Sequence, residues 1–78
     1  MALYYFDIND SGRDLPDAEG TELEDLTQAR AEALRMLGEV AKNELPNSDR
    51  SGFAIAICSE SGKPLLTVAL SVRGEQAA

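Results

Sequence analysis

The chain has 78 residues, room for one domain, and its 44% apolar and 27% charged content is that of a folded globular chain rather than a disordered one. It has no His and a single Cys, Cys58. That removes the usual general base, an intrachain disulfide and any Cys-based zinc site. The net charge of −7 argues against a nucleic-acid backbone or an anionic membrane as partner. No stretch is long enough to span a bilayer and no basic-then-apolar leader precedes a cleavage site, so a cytoplasmic location is expected.

The first predicted element is a strand, Leu3 to Asn9, rich in aromatic and branched residues and closed by the turn signal Asp10-Ser11-Gly12. Alternation sends Tyr4, Phe6 and Ile8 to one face, the better core face, and Leu3, Tyr5 and Asp7 to the other. Arg13-Asp14-Leu15 can return as a short strand, which Pro16 confines to an edge. Asp17-Ala18-Glu19-Gly20 reads as a turn with Gly20 at positive φ.

A helix is expected from Leu26 to about Glu44. Asp25 is its N-cap, Gln28 stands at capping-box spacing, and Pro46 forbids continuation. Leu26, Ala29, Ala33, Met36, Leu37, Val40 and Ala41 form the buried stripe. Glu32 with Arg35 and Glu39 with Lys42 are expected on the outer face, where such pairs add a few tenths of a kcal/mol. Gly38 is the helix's weak point, and a close backbone contact is one explanation for it.

Residues 47–52 read as a surface loop. Phe53 to Ser59 and Leu65 to Val72 are strands joined by the hairpin turn Glu60-Ser61-Gly62-Lys63. A two-residue loop at Ser61-Gly62 sets Ile57 against Leu66, Ile55 against Val68, Phe53 against Leu70 and Glu60 against Lys63. A three-residue loop with a Gly bulge shifts each partner by one. The first register is preferred because the slip exposes half of the apolar set.

These pieces make a single α+β domain over residues 1–73, with residues 74–78 a frayed tail. The expected architecture is a three- to four-stranded, mostly antiparallel sheet with one α-helix packed on one face. The other face keeps Leu3, Tyr5, Ala54, Ala56, Cys58 and Leu65, the candidate dimer face. A homodimer through that face, or by pairing along an edge strand, is the structural expectation.

Charge is segregated along the chain. Residues 1–25 hold eight acids against Arg13 alone, whereas the remainder is balanced. Asp14, Asp17, Glu19 and Glu22 are therefore a candidate acidic docking patch for a basic protein partner. Asp7-x-Asn9-x-Ser11-Gly12 matches the start of an EF-hand loop, but its twelfth position is Ala18, so calcium is not expected there. Cys58 lacks a His or a basic cluster to activate it and reads as a small hydrophobe. Tyr4, Tyr5 and Phe6 alternate in direction and sit among acids, so they make no base-stacking platform. No catalytic, cofactor or metal site is expected.

The order Tyr4-Tyr5-Phe6-Asp7-Ile8, Pro16-Asp17-Ala18-Glu19-Gly20-Thr21-Glu22-Leu23 and Asp25-Leu26-x-x-Ala29-Arg30-x-Glu32-Ala33 resembles a family of short bacterial proteins, a domain of unknown function. A Tyr-Phe-Phe-like strand, an Asp-x-x-Gly-x-Glu turn and an Asp-Leu-x-x-Ala-Arg-x-Glu-Ala helix start recur in it. Many members carry His where Asp7 stands, and any chemistry of that His is lost here. The resemblance implies the fold and no activity. There is a fainter likeness to small sheet-plus-helix antitoxin domains, which is analogy only. Two functions are expected from the segregated charge and the uncovered sheet face. The first is a non-enzymatic, self-associating interaction module. The alternative is an antitoxin-like or inhibitor protein that covers a basic surface with its acidic N-terminal third.

Overall fold

In the computed structural model, residues 1–10, 12–44, 52–72, 76 and 77 are described. Among them, five strands and one helix follow in the order β1 (Ala2–Asp10), β2 (Arg13–Leu15), β3 (Thr21–Leu23), α1 (Leu26–Glu44), β4 (Gly52–Cys58) and β5 (Pro64–Ser71). The sheet runs β2-β1-β4-β5, with β3 also paired to β1, and every pairing is antiparallel. The fold is α+β with one helix against this sheet. The expected count of three or four strands missed β3, whose three residues are too few to show a period. The loop expected at 47–52 falls outside the described residues except for Gly52, and so does Pro46; of the expected tail, only Gln76 and Ala77 are described.

Strand alternation builds the core. Tyr4 and Phe6 of β1 and Phe53, Ile55 and Ile57 of β4 are buried against Ala29, Ala33 and Leu37 of α1. Ile8, Met36, Val40, Leu66, Val68 and Leu70 pack around them. Ala29 and Ala33 are fully buried, and small side chains there bring the helix axis close to the sheet. Leu26, expected in the buried stripe, is instead 38% exposed. It occupies the first helical position, a turn ahead of Ala29, where burial begins.

The helix bounds are those expected from its caps. Gln28 N–H donates to Asp25 Oδ1 at 2.9 Å. The reciprocal bond runs to Gln28 Oε1 from Glu24 N–H, one residue earlier than in a standard capping box. Glu32 and Arg35 form an ion pair; among the described residues Glu39 and Lys42 do not. Gly38 is exposed, and a Cβ there would meet nothing within 4 Å. No close contact explains it. Gly38→Ala is therefore expected to stabilise the fold by about 1 kcal/mol, read as a higher urea midpoint at unchanged slope. A midpoint that falls would show that the helix is not the exposed one described.

In the hairpin, Ile57 opposes Leu66, Ile55 opposes Val68 and Phe53 opposes Leu70, the preferred register. The route to it differs. Ser59, not Glu60, faces Lys63: Ser59 N–H donates to Lys63 O at 2.8 Å, and Gly62 N–H to Ser59 O at 2.9 Å. Gly62 takes φ +87°, so the loop is the three-residue kind with a Gly bulge. Cys58 then pairs with Pro64, and Leu65 is an extra residue before Ile57 meets Leu66. This second bulge cancels the shift introduced by the first. Burial of the Phe53, Ile55 and Ile57 row decides the register, and the turn accommodates it.

Candidate functional site

Both short strands β2 and β3 lie on the same edge of β1. β2 pairs with Ile8–Asp10 and β3 with Ala2–Tyr4. Between them, the Phe6 N–H points outward with no strand opposite. Asp17 fills that gap with its side chain: Phe6 N–H donates to Asp17 Oδ2 at 3.1 Å. The other carboxylate oxygen accepts Glu19 N–H at 3.0 Å and Gly20 N–H at 3.1 Å, an Asx turn. Asp7 holds the backbone of the same residue, its Oδ1 accepting Asp17 N–H at 2.9 Å. Gly20 has φ +75°, and a Cβ on it would stand 3.1 Å from Leu3 Cδ1 and 3.2 Å from Tyr4 O. The turn thus sits directly on β1.

Partial burial pulls the Asp17 pKa upward, but the N–H donors of Gly20, Phe6 and Glu19 outweigh it and hold the carboxyl below its ordinary value. A depressed folded-state pKa means that the unfolded chain binds the proton first. The resulting stability is present above the unfolded value, about pH 4, and is lost as pH falls through the folded one. Asp17→Asn keeps one acceptor oxygen but turns an NH₂ group against an N–H donor. It is expected to cost about 1–2 kcal/mol at neutral pH. The gap to the wild type should narrow as urea melts are taken to lower pH below about 4. A gap constant with pH would show that the carboxylate charge plays no part.

Asp7 also faces Cys58, with Sγ 3.9 Å from Oδ2. Burial, then the Asp7 charge and its hydrogen bond, push the Cys58 thiol above its ordinary pKa. The thiol is therefore protonated at neutral pH and poorly nucleophilic. An open cleft of about 250 Å³ lies here, lined in part by Tyr5, Asp7, Asp17, Cys58 and Glu60. Among the described residues its lining offers the carboxylates of Asp7, Asp17 and Glu60 and a protonated thiol, and no Lys or Arg. Among the described residues, no group of three or more His, Cys, Asp or Glu side chains is placed to hold a metal ion. Asn9 of the EF-hand-like run braces the turn instead, accepting Gly12 N–H and donating to Asp14 Oδ1. No helix among the described residues is long and apolar enough to cross a membrane.

The four residues of the acidic patch are not equivalent. Asp14 on β2 lies opposite Asn9 and Glu22 on β3 opposite Leu3, six β1 residues apart, or about 20 Å. Asp14, Glu19 and Glu22 are exposed, whereas Asp17 is half-buried with its carboxylate committed to backbone. The acids form a strip along one sheet edge rather than a cluster.

Of the candidate dimer face, Leu3, Tyr5, Ala54, Ala56 and Cys58 share the side of the sheet away from α1. Leu3, Tyr5, Ala54 and Ala56 are half-buried there, Cys58 is buried, and Leu65 is 40% exposed in the bulge. Asp7 lies at the middle of this face, directly opposite Ala56. The Asp17 bridge to Phe6 is not legible in the sequence. Its local half, Asp17 with Gly20 three residues on, is an Asx-turn signal; the long-range half needs the gap between β2 and β3.

No curated protein and no solved structure matches the chain. A family model described as Domain of unknown function (DUF6894) matches residues 3–71, from the second residue of β1 to the last of β5. The chain belongs to that family.

Proposed function

We propose that this protein is a small non-enzymatic interaction module that works as a self-associated unit, in its simplest form a homodimer. The observation that supports this reading is the segregation of charge over the sheet. The β2 and β3 edge carries the exposed acids Asp14, Glu19 and Glu22, whereas β5, on the opposite edge, holds no charged residue. One flank thus repels a second copy and the other does not. The fold is also two-layered, with a single helix and one sheet face left without a covering element among the described residues.

The test is the native mass by light scattering across a wide concentration range at low and high salt. The expected result is twice the chain mass, insensitive to salt, because apolar and backbone contacts are little screened. A single-chain mass at every concentration contradicts the reading. A second reading, an inhibitor or antitoxin-like protein docking on a basic protein, draws on the exposed acidic strip. It predicts a complex that weakens steeply as salt rises.

A further inference from the structure

We infer that a second copy of this chain docks along the outer edge of β5, strand against antiparallel strand, so that two sheets become one. This rests on the self-association reading and gives that reading its surface.

The backbone geometry is the first support. The Phe6 N–H points toward the β2 and β3 edge, so even residues of β1 direct their N–H and C=O groups there and odd ones toward β4. Following the pairs Asp7 with Ala56 and Ile55 with Val68 across the sheet, Leu66, Val68 and Leu70 bond inward to β4. Thr67, Ala69 and Ser71 direct theirs outward. Among the described residues no strand pairs with that edge.

The chemistry of the edge is the second support. Exposed edges are normally guarded by charge, Pro or bulges. Here Pro64 and the bulge at Leu65 guard only the start of β5. No charged residue lies between Lys63 and Arg73 in the sequence.

A third support is what the edge leaves half-covered. Leu66, Val68 and Leu70 are only partly buried on the helix side. Above them, Leu34 is 43% exposed. Glu32 and Leu34 flank the buried Ala33 by about 100° on either side of the helix. Glu32 lines a cleft with Phe6, Ile8 and Leu15 on the β2 side, so Leu34 falls on the β5 side. A two-fold axis normal to the sheet keeps both helices on one side. It sets Leu66, Val68 and Leu70 of one copy beside those of the other.

The occupant is a second copy because an antiparallel edge is self-complementary about such an axis, and because the acids of both copies stay at the far ends. Stacking the open faces instead would take Asp7 of each copy out of water.

The test is the native mass of three variants beside the wild type, with far-UV circular dichroism as the check on folding. Ala69→Pro removes an outward N–H to which no described strand pairs. Leu34→Lys sets a charge on the exposed helix flank beside the edge with no change to the strand. Ala56→Lys loads the open face and stands opposite Asp7. Wild type and Ala56→Lys are expected to be dimers, and Ala69→Pro and Leu34→Lys folded monomers. If Ala69→Pro and Leu34→Lys both stay dimeric, or if Ala56→Lys alone becomes monomeric, the edge is overturned while self-association stands. A wild type that is monomeric throughout overturns both.

Discussion

Replacing Ile55 with Ala is expected to lower stability by about 2–5 kcal/mol, the largest single effect in the molecule. Ile55 is fully buried at the centre of β4, which has a strand partner on each side, β1 and β5. Its side chain lies on the helix face between Ile8 and Val68, its partners across β1 and β5, within the cluster that holds Ala33 and Leu37. Truncation leaves a cavity that two β-ladders and a helix cannot close without breaking backbone pairs. A chain of this length has only a few kcal/mol in reserve. The variant should therefore unfold early in a urea titration or express as an open, aggregating chain. A midpoint within error of the wild type would place the core elsewhere.

Gly20→Ala is expected to cost about 1–3 kcal/mol. Two effects combine there. The residue sits at φ +75°, where a Cβ is strained against its own backbone, and that Cβ would crowd Leu3 Cδ1 and Tyr4 O at 3.1 and 3.2 Å. The Tyr4 carbonyl belongs to β1 and has little freedom to move. Gly62→Ala is the internal comparison, because φ is +87° there but nothing stands within 4 Å of the added atom. Gly20→Ala should be the more damaging of the two in thermal melts. It should also loosen the Asp17 bridge, whose Oδ1 accepts the Gly20 N–H. Equal losses at the two sites would mean that contact with β1 adds nothing.

What was legible in the sequence follows from the range of the forces involved. The helix is bounded by local chemistry, the Asp25 cap at one end and Pro46 beyond the other, and its limits are those expected. The β4–β5 register was legible because Phe53, Ile55 and Ile57 would be turned to the wrong face by a one-residue slip. The compensating bulge at Leu65 was not, because only the conflict between the preferred turn and the preferred burial creates it. β3 and the Asp17 bridge were also hidden. Both depend on where β1 lies relative to a segment 11 or more residues later, and no periodicity within Thr21-Glu22-Leu23 carries that. The acidic patch shows the same limit. Its charge is a sequence fact, but Asp17 is turned to backbone while Asp14 and Glu22 sit at opposite ends of β1.

The sheet's outer edge gives the account its most direct test, which is amide hydrogen exchange along β5 at low and high protein concentration. Leu66, Val68 and Leu70 should be protected at both, since their N–H groups bond to β4. Thr67, Ala69 and Ser71 should exchange fast when dilute and become protected as concentration rises and the second copy pairs with them. Fast exchange of those three at every concentration would contradict the account.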